Sequence, residues 1–173
     1  MHMPSFWIFL LFVISQRIAE LILARRNERI LKSRGAIEFD RNGYIVIVAL
    51  HVLFFVSLIC EKVFLDRTLN PWWIIFAILF GLAQVIRYWA IWSLGVFWNT
   101  KVLVAPDHTL VTKGPYKYFP HPNYIAVITE IAVIPLMFSC YTTAVLFSLI
   151  NLALLRRRIR IEENALRRVS ASL

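Results

Sequence analysis

Residues Tyr44–Phe64 read YIVIVALHVLFFVSLICEKVF, an apolar run of 21 residues. An α-helix needs roughly 20 such residues to cross a bilayer. Pro4–Ala24 and Pro71–Leu94 on either side have the same length and character. Asn123–Phe138 and Tyr141–Leu155 are shorter, with only Ser139 and Cys140 between them. That pattern predicts a tight helical hairpin, either just spanning or partly re-entrant. The sequence therefore predicts an all-α integral membrane protein of five transmembrane helices, the last two forming the hairpin, in one membrane-embedded domain over residues 1–173.

Composition agrees. Of 173 residues, 60% are hydrophobic and 17% charged, and the mean hydropathy is +0.68. Soluble domains carry about 45–50% apolar and about 25% charged residues. An ordinary soluble domain, a disordered chain and a disulfide scaffold are all excluded. Cys60 and Cys140 fall near the outer ends of their helices, where cysteines usually act as small buried hydrophobes.

The net charge is +9, and its placement matters more than its size. Arg25, Arg26, Arg29, Lys32, Arg34 and Arg41 follow the first span. Lys101, Lys113 and Lys117 lie in the 95–122 loop, and six arginines lie in the tail after Leu155. Lys62 and Arg67 border the connection between the second and third spans. Five spans with the N-terminus outside put fifteen of these basic residues on the cytoplasmic side and two outside. This satisfies the positive-inside rule. Met1–Ser5 contains no basic residue, so the first span reads as a retained anchor rather than a cleaved signal. The basic excess is then a feature of topology and of contact with lipid headgroups. No nucleic-acid-binding module is visible.

Charged and polar groups inside spans are costly and call for a reason. They are Arg17, Glu20, His51, Arg87 and Glu130, and on this topology all five fall in cytoplasmic halves. Arg17 and Glu20 are spaced to pair on one helix face, and Arg87 has the length to snorkel. Jointly they predict a polar cluster open to the cytosol, able to receive a water-soluble cofactor. The lipid-facing gaps between helices would admit an apolar substrate. Trp72 and Trp73 are expected in an outer aromatic belt, and Trp89, Trp92 and Trp98 in an inner one.

The 95–122 loop is too long to be a mere connection. Gly114-Pro115 marks a turn. Pro120 and Pro122 hold the chain around His121 extended, and Asn123 is expected to cap the next helix. In the tail, Arg158 and Glu162 share a helix face. Arg158 and Glu163 stand about 140° apart at 100° per residue, so they would meet one ligand only around its two sides, or if the helix bends. The histidines His51, His108 and His121 are too scattered for a metal site.

The run Asp107-His108-Thr109-Leu110-Val111-Thr112-Lys113-Gly114-Pro115-Tyr116, continuing through His121-Pro122-Asn123-Tyr124, resembles the isoprenylcysteine carboxyl methyltransferase family. The Arg158–Glu162-Glu163–Leu166 tail resembles that family's second signature. The early run Arg17–Glu20, Ala24-Arg25-Arg26-Asn27 and Gly35-Ala36 resembles small bacterial members, some of which O-methylate alkylpyrones. The resemblance implies S-adenosylmethionine bound at the cytosolic face, with His121 and Glu163 contacting it and Arg158 at the junction of cofactor and acceptor. It implies His108, Leu110 and Tyr124 as further pocket residues. An arginine suits the cofactor's carboxylate by a bidentate pair, and a glutamate suits its ammonium. Two positions depart from the family pattern. Pro120 stands where arginine is usual, which weighs against a prenylated protein carboxylate as acceptor, and Ala126 stands where glycine is common.

The expected chemistry is in-line transfer of a sulfonium methyl to an oxygen of a lipophilic acceptor, either a polyketide-type lipid or a prenylcysteine carboxylate. Positioning and exclusion of water supply much of the rate. Arg158, Glu130 and Arg87 are the charged residues expected to serve the chemistry, and His108, His121 or Glu130 would be the base where one is needed. Two alternatives remain at this stage: an ethanolamine-phospholipid N-methyltransferase and a non-catalytic membrane scaffold.

Overall fold

The computed structural model describes residues 3–105 and 111–171. It consists of five helices and a short β-ribbon: α1 (Met3–Ser33), β1 (Ile37–Phe39), α2 (Arg41–Phe64), α3 (Trp73–Leu94), β2 (Val102–Val104), α4 (Pro122–Met137) and α5 (Tyr141–Ala171). Two 3-10 turns, Gly95–Phe97 and Gly114–Lys117, punctuate the long connection between α3 and α4.

Local chemistry sets the boundaries. Gly35 sits at φ 84°, with its N–H donating to the Lys32 carbonyl while Ala36 N–H donates to Leu31. These two bonds close a helix end at a left-handed glycine. Asp40 caps α2, its carboxylate accepting from Gly43 N–H at 3.2 Å and from the Arg157 guanidinium at 2.7 and 3.2 Å. A Cβ at Gly43 would lie 1.9 Å from Asp40 Oδ2, so the cap requires glycine there. Pro122 occupies the first turn of α4, where its missing N–H costs nothing.

By length and composition, α1, α2 and α3 are each able to cross a membrane. Their outward apolar side chains, such as Ile8, Leu11, Val52 and Ile78, are more than half exposed. That suits a lipid-facing surface. The 16-residue α4 is about 24 Å long at 1.5 Å per residue, short of a hydrocarbon core of about 30 Å.

The core lies between the helices. It joins Phe6, Leu10 and Val13 of α1 to Leu50, Phe54 and Leu58 of α2 and to Ile131, Ile134 and Phe138 near α4. Phe6 meets Phe138 edge-on at 4.9 Å, and Phe54 meets Phe147 at 5.7 Å. The α4–α5 hairpin turns through Ser139, at φ 56°, and Cys140 N–H bonds back to the Pro135 carbonyl at 2.9 Å. Glu61 of α2 reaches across to the start of α5. Its carboxylate accepts from Thr143 N–H at 2.7 Å, Thr143 Oγ1 at 2.8 Å and Thr142 N–H at 3.2 Å. An acidic group on the exposed amides of a helix N-terminus is favoured by the helix dipole.

Several sequence expectations change here. The tail beyond Leu155 is no separate segment: α5 runs on for 31 residues, because nothing after Tyr141 is glycine or proline. Asn123 does not cap α4; His121 holds the cap position and Asn123 Oδ1 accepts from Arg87. Trp98 is only 2% exposed, a wall of the interior rather than a belt anchor, whereas Trp72 and Trp92 are well exposed. The antiparallel β1–β2 ribbon, Ile37 opposite Val104, was not anticipated. Cys60 and Cys140 are both free.

Candidate functional site

Two cavities lie at the end of the bundle where α1, α3 and α5 finish and α2 and α4 begin. The larger, about 800 Å³, is bounded by the α3–α4 connection, the start of α4 and the second half of α5. The smaller, about 250 Å³, lies among the helices themselves. Trp98, Asn99, Asn123, Tyr124 and Arg158 line both, so they form the partition between them.

The partition is built from the His121–Tyr124 spacing. These residues are one helical turn apart, and their rings stack with centroids 5.2 Å apart and planes at 19°. The Tyr124 hydroxyl reaches α5, donating to Glu162 Oε2 at 2.5 Å and accepting from Arg158 Nε at 3.0 Å. Arg158 and Glu162 therefore meet through a phenol instead of pairing directly. Arg158 Nη2 also donates to the Thr100 carbonyl. His121 Nε2 stands 3.6 Å from Glu163 Oε1, and the Glu163 side chain is half exposed at the mouth. His121 and the acidic end of α5 thus stand together, and Arg158 and Glu163 both line the large cavity. Tyr116 lines the same cavity. Burial, with the Glu162 carboxylate adding to it, pushes its phenol up and keeps it neutral.

Below the partition, the charges of α1, α3 and α4 gather. Arg17 donates to Glu20 at 2.5 Å and to Glu130 at 2.7 Å. Arg87, 2% exposed, holds Glu130 through both Nε and Nη2 and reaches Glu20 and Asn123 through Nη1 at 3.4 Å. Gln16 and Gln84 complete the network, bonding to each other and to Glu20 and Glu130 respectively. Two arginines and two glutamates balance. Arg87 is held inside the bundle rather than snorkelling. Arg17, Glu20 and Arg87 border the small cavity, whereas Glu130 stands behind them on neither cavity wall. Much of the rest of that cavity is a stripe along α2, Tyr44, Ile47, Val48, His51, Val52 and Phe55, at helical spacing. Of the residues singled out in the sequence, His108 and Leu110 lie outside the described residues.

Trp98 and Asn99 were missed as site residues in the sequence, and of the α2 stripe only His51 stood out. The Trp98 Nε1–H is buried with no partner among the described residues, and Asn99 Nδ2 is spent on the Ala24 carbonyl. A Gly95 turn followed by Trp-Asn was the available signal.

Residues 73–168 match the sequence model of the isoprenylcysteine carboxyl methyltransferase family. The chain belongs to this family. YpbQ of Bacillus subtilis, an uncharacterized protein, is 47% identical over 165 residues, 95% of this chain and 98% of its own. An uncharacterized protein of Haemophilus influenzae is 26% identical over 155 residues, 89% of this chain and 90% of its own. No solved structure matches the chain. The isoprenylcysteine carboxyl methyltransferase match divides the two cavities. Every residue lining the large one, from Leu94 to Arg167, lies within the matched segment. The small one takes Arg17, Glu20, Leu21 and the α2 stripe from outside it.

Proposed function

We propose that this family member is an S-adenosylmethionine-dependent O-methyltransferase that methylates an oxygen of a lipophilic acceptor. The supporting observation is the division just described. A common methyl donor belongs in the cavity built from the family segment, and a variable acceptor in the cavity whose wall is half contributed by α1 and α2. The two adjoin across Tyr124 and Arg158.

The large cavity's chemistry fits the donor. About 800 Å³ is within the usual range for small-molecule sites. Glu162 and Glu163 suit an ammonium, Arg158 a carboxylate, and Tyr116, Tyr124 and Trp98 offer aromatic faces to a sulfonium or a purine. The orphaned Trp98 Nε1–H is a donor awaiting an acceptor. When bound, S-adenosylmethionine supplies an electrophilic methyl. The protein's part is orientation. His121 and Glu163 hold one side of the donor, Arg158 the other, and Tyr124 fixes Arg158 against α5. Arg87 and Glu130 act by holding the partition rigid through Asn123. Val48 and Val52, 39% and 57% exposed, form a sideways mouth through which an apolar tail reaches lipid.

In this reading the whole chain is one membrane-embedded methyltransferase domain of five spans. Its N-terminus is outside and both cavities are at the cytoplasmic face, as the basic residues favour. The acceptor is an alkylpyrone or other polyketide-type lipid, or a prenylcysteine carboxylate. Calorimetric titration of S-adenosylmethionine into detergent-solubilised protein tests the reading. Glu163→Ala should weaken binding on the order of 10-fold, the loss of one charge-assisted contact, while leaving the thermal transition in place. Unchanged affinity in the folded variant removes α5 from the donor site. Labelled methyl groups found on ethanolamine lipids instead of an acceptor oxygen overturn the acceptor class.

A further inference from the structure

Among the described residues, the small cavity contains one basic nitrogen with nothing to bind. His51 Nδ1 lies 2.8 Å from the Ile47 carbonyl one turn earlier on α2. A carbonyl oxygen only accepts, so in the neutral ring Nδ1 carries the proton and Nε2 is a bare acceptor. Nε2 has no partner among the described residues. The other ionisable groups on the cavity wall are Arg17 and Glu20 of α1, Tyr44 of α2, Arg87 of α3, Tyr124 of α4 and Arg158 of α5. Arg17 and Arg87 are already matched by Glu20 and Glu130. Tyr124 is tied to Glu162 and Arg158. In the proposed function Arg158 faces the donor's carboxylate. The cavity thus offers an acceptor molecule an apolar stripe, a charge-neutral floor and a single free base. It has no spare guanidinium with which to clamp a carboxylate.

We infer that His51 is the proton acceptor of the acceptor site, and that the site takes a lipid whose reacting oxygen is a weakly acidic hydroxyl, of the phenol class, rather than a carboxylate. This rests on the proposed methyl transfer and names its acceptor. As the oxygen–methyl bond forms and the methyl–sulfur bond breaks, the sulfur keeps the bonding pair and becomes a neutral thioether. The hydroxyl proton moves to His51 Nε2 and leaves from there to water. His51 lies outside the segment matched by the family model, as expected of a residue that serves the acceptor rather than the donor.

The probe is a nitrophenol with a long alkyl chain, because its anion is yellow and its neutral form is not. Added to the detergent-solubilised protein without methyl donor, at a pH below its own ionisation, it should turn yellow on binding. His51→Gln keeps polarity at the Nε2 position without basicity. His51→Asn keeps the donor to the Ile47 carbonyl and removes Nε2. Both should bind the probe colourless, retain S-adenosylmethionine affinity, and lose on the order of 10²–10⁴-fold in kcat/KM for the methylation of an alkylphenol, the usual worth of a positioned general base. The wild-type colour needs no variant. A colourless bound probe, unchanged colour in either variant, failure of the probe to bind, or faster methylation of N-acetyl-S-farnesylcysteine than of the phenol overturns the inference. Failure to bind S-adenosylmethionine overturns the proposed function instead.

Discussion

Tyr124 shows how much one hydroxyl organises. It faces both cavities, accepts from Arg158 and donates to Glu162, and its ring lies on His121. Removing the oxygen frees two charged side chains that the fold now holds in place. Hydrogen bonds to charged groups are worth about 1.5–3 kcal/mol. Tyr124→Phe is therefore expected to lower S-adenosylmethionine affinity on the order of 10-fold, read by titration, while the stacking face and the thermal transition persist. At this scale the sequence was partly legible. The proline-flanked histidine, Tyr124 and the acidic pair stand out as residues, but the bonds by which the phenol joins them do not. Its partners lie 34 and 38 positions away, across a hairpin whose register no local pattern specifies. The same distance hid Trp98, which composition alone assigns to a membrane interface.

Among the elements, the β1–β2 ribbon is the least predictable and the most useful. Three residues per strand leave too little alternation to detect. Yet the ribbon ties the α1–α2 connection to the wall of the large cavity, since Val102 and Val104 line it. Lys101 bridges the ribbon's base, donating to Glu28 at 2.8 Å and meeting Glu38 Oε1 at 3.3 Å. Partial burial pushes the Glu38 carboxyl up, but hydrogen bonds from Lys32 and Lys101 outweigh it and hold the group below 4.5. Partial burial likewise works against the Lys101 ammonium, and its bonds to Glu28 and Glu38 outweigh that and hold it above 10.5. The carboxylate's contribution is complete above its unfolded value and is lost as pH falls through the lowered one. The ammonium's is complete below its unfolded value and is lost as pH rises through the raised one. The pair is at full strength across neutral pH. These partly exposed groups contribute about 1 kcal/mol at most. Glu38→Gln should melt about 2–4 °C below wild type at pH 7, and the two proteins should converge as the medium is acidified below the Glu38 titration.

For the whole molecule, hydropathy made the long helices readable because lipid permits few other ways to satisfy a backbone. It said less about α5, whose apolar and charged halves form one helix. The Arg17–Glu20–Arg87–Glu130 cluster joins α1, α3 and α4 at the level where the bundle opens into the cavities. Each charge is tolerable only while its partners remain. Loss of one member of a buried pair costs about 3–5 kcal/mol, whereas removing both together costs much less. Arg87→Met and Glu130→Leu should each lower unfolding stability in detergent by amounts of that size. The double variant should lose less than the sum, by at least about 1 kcal/mol in a double-mutant cycle.

The helix anchored by Glu61 at one end also displays Glu163 at the other. A rod pinned at its far tip turns a small change of slant into sideways travel at the near tip. Lipid bilayers of different thickness impose different slants on such a rod. On the proposed five-span topology, the gap between Glu163 and His121 should then respond to bilayer thickness as well as to the protein's own packing.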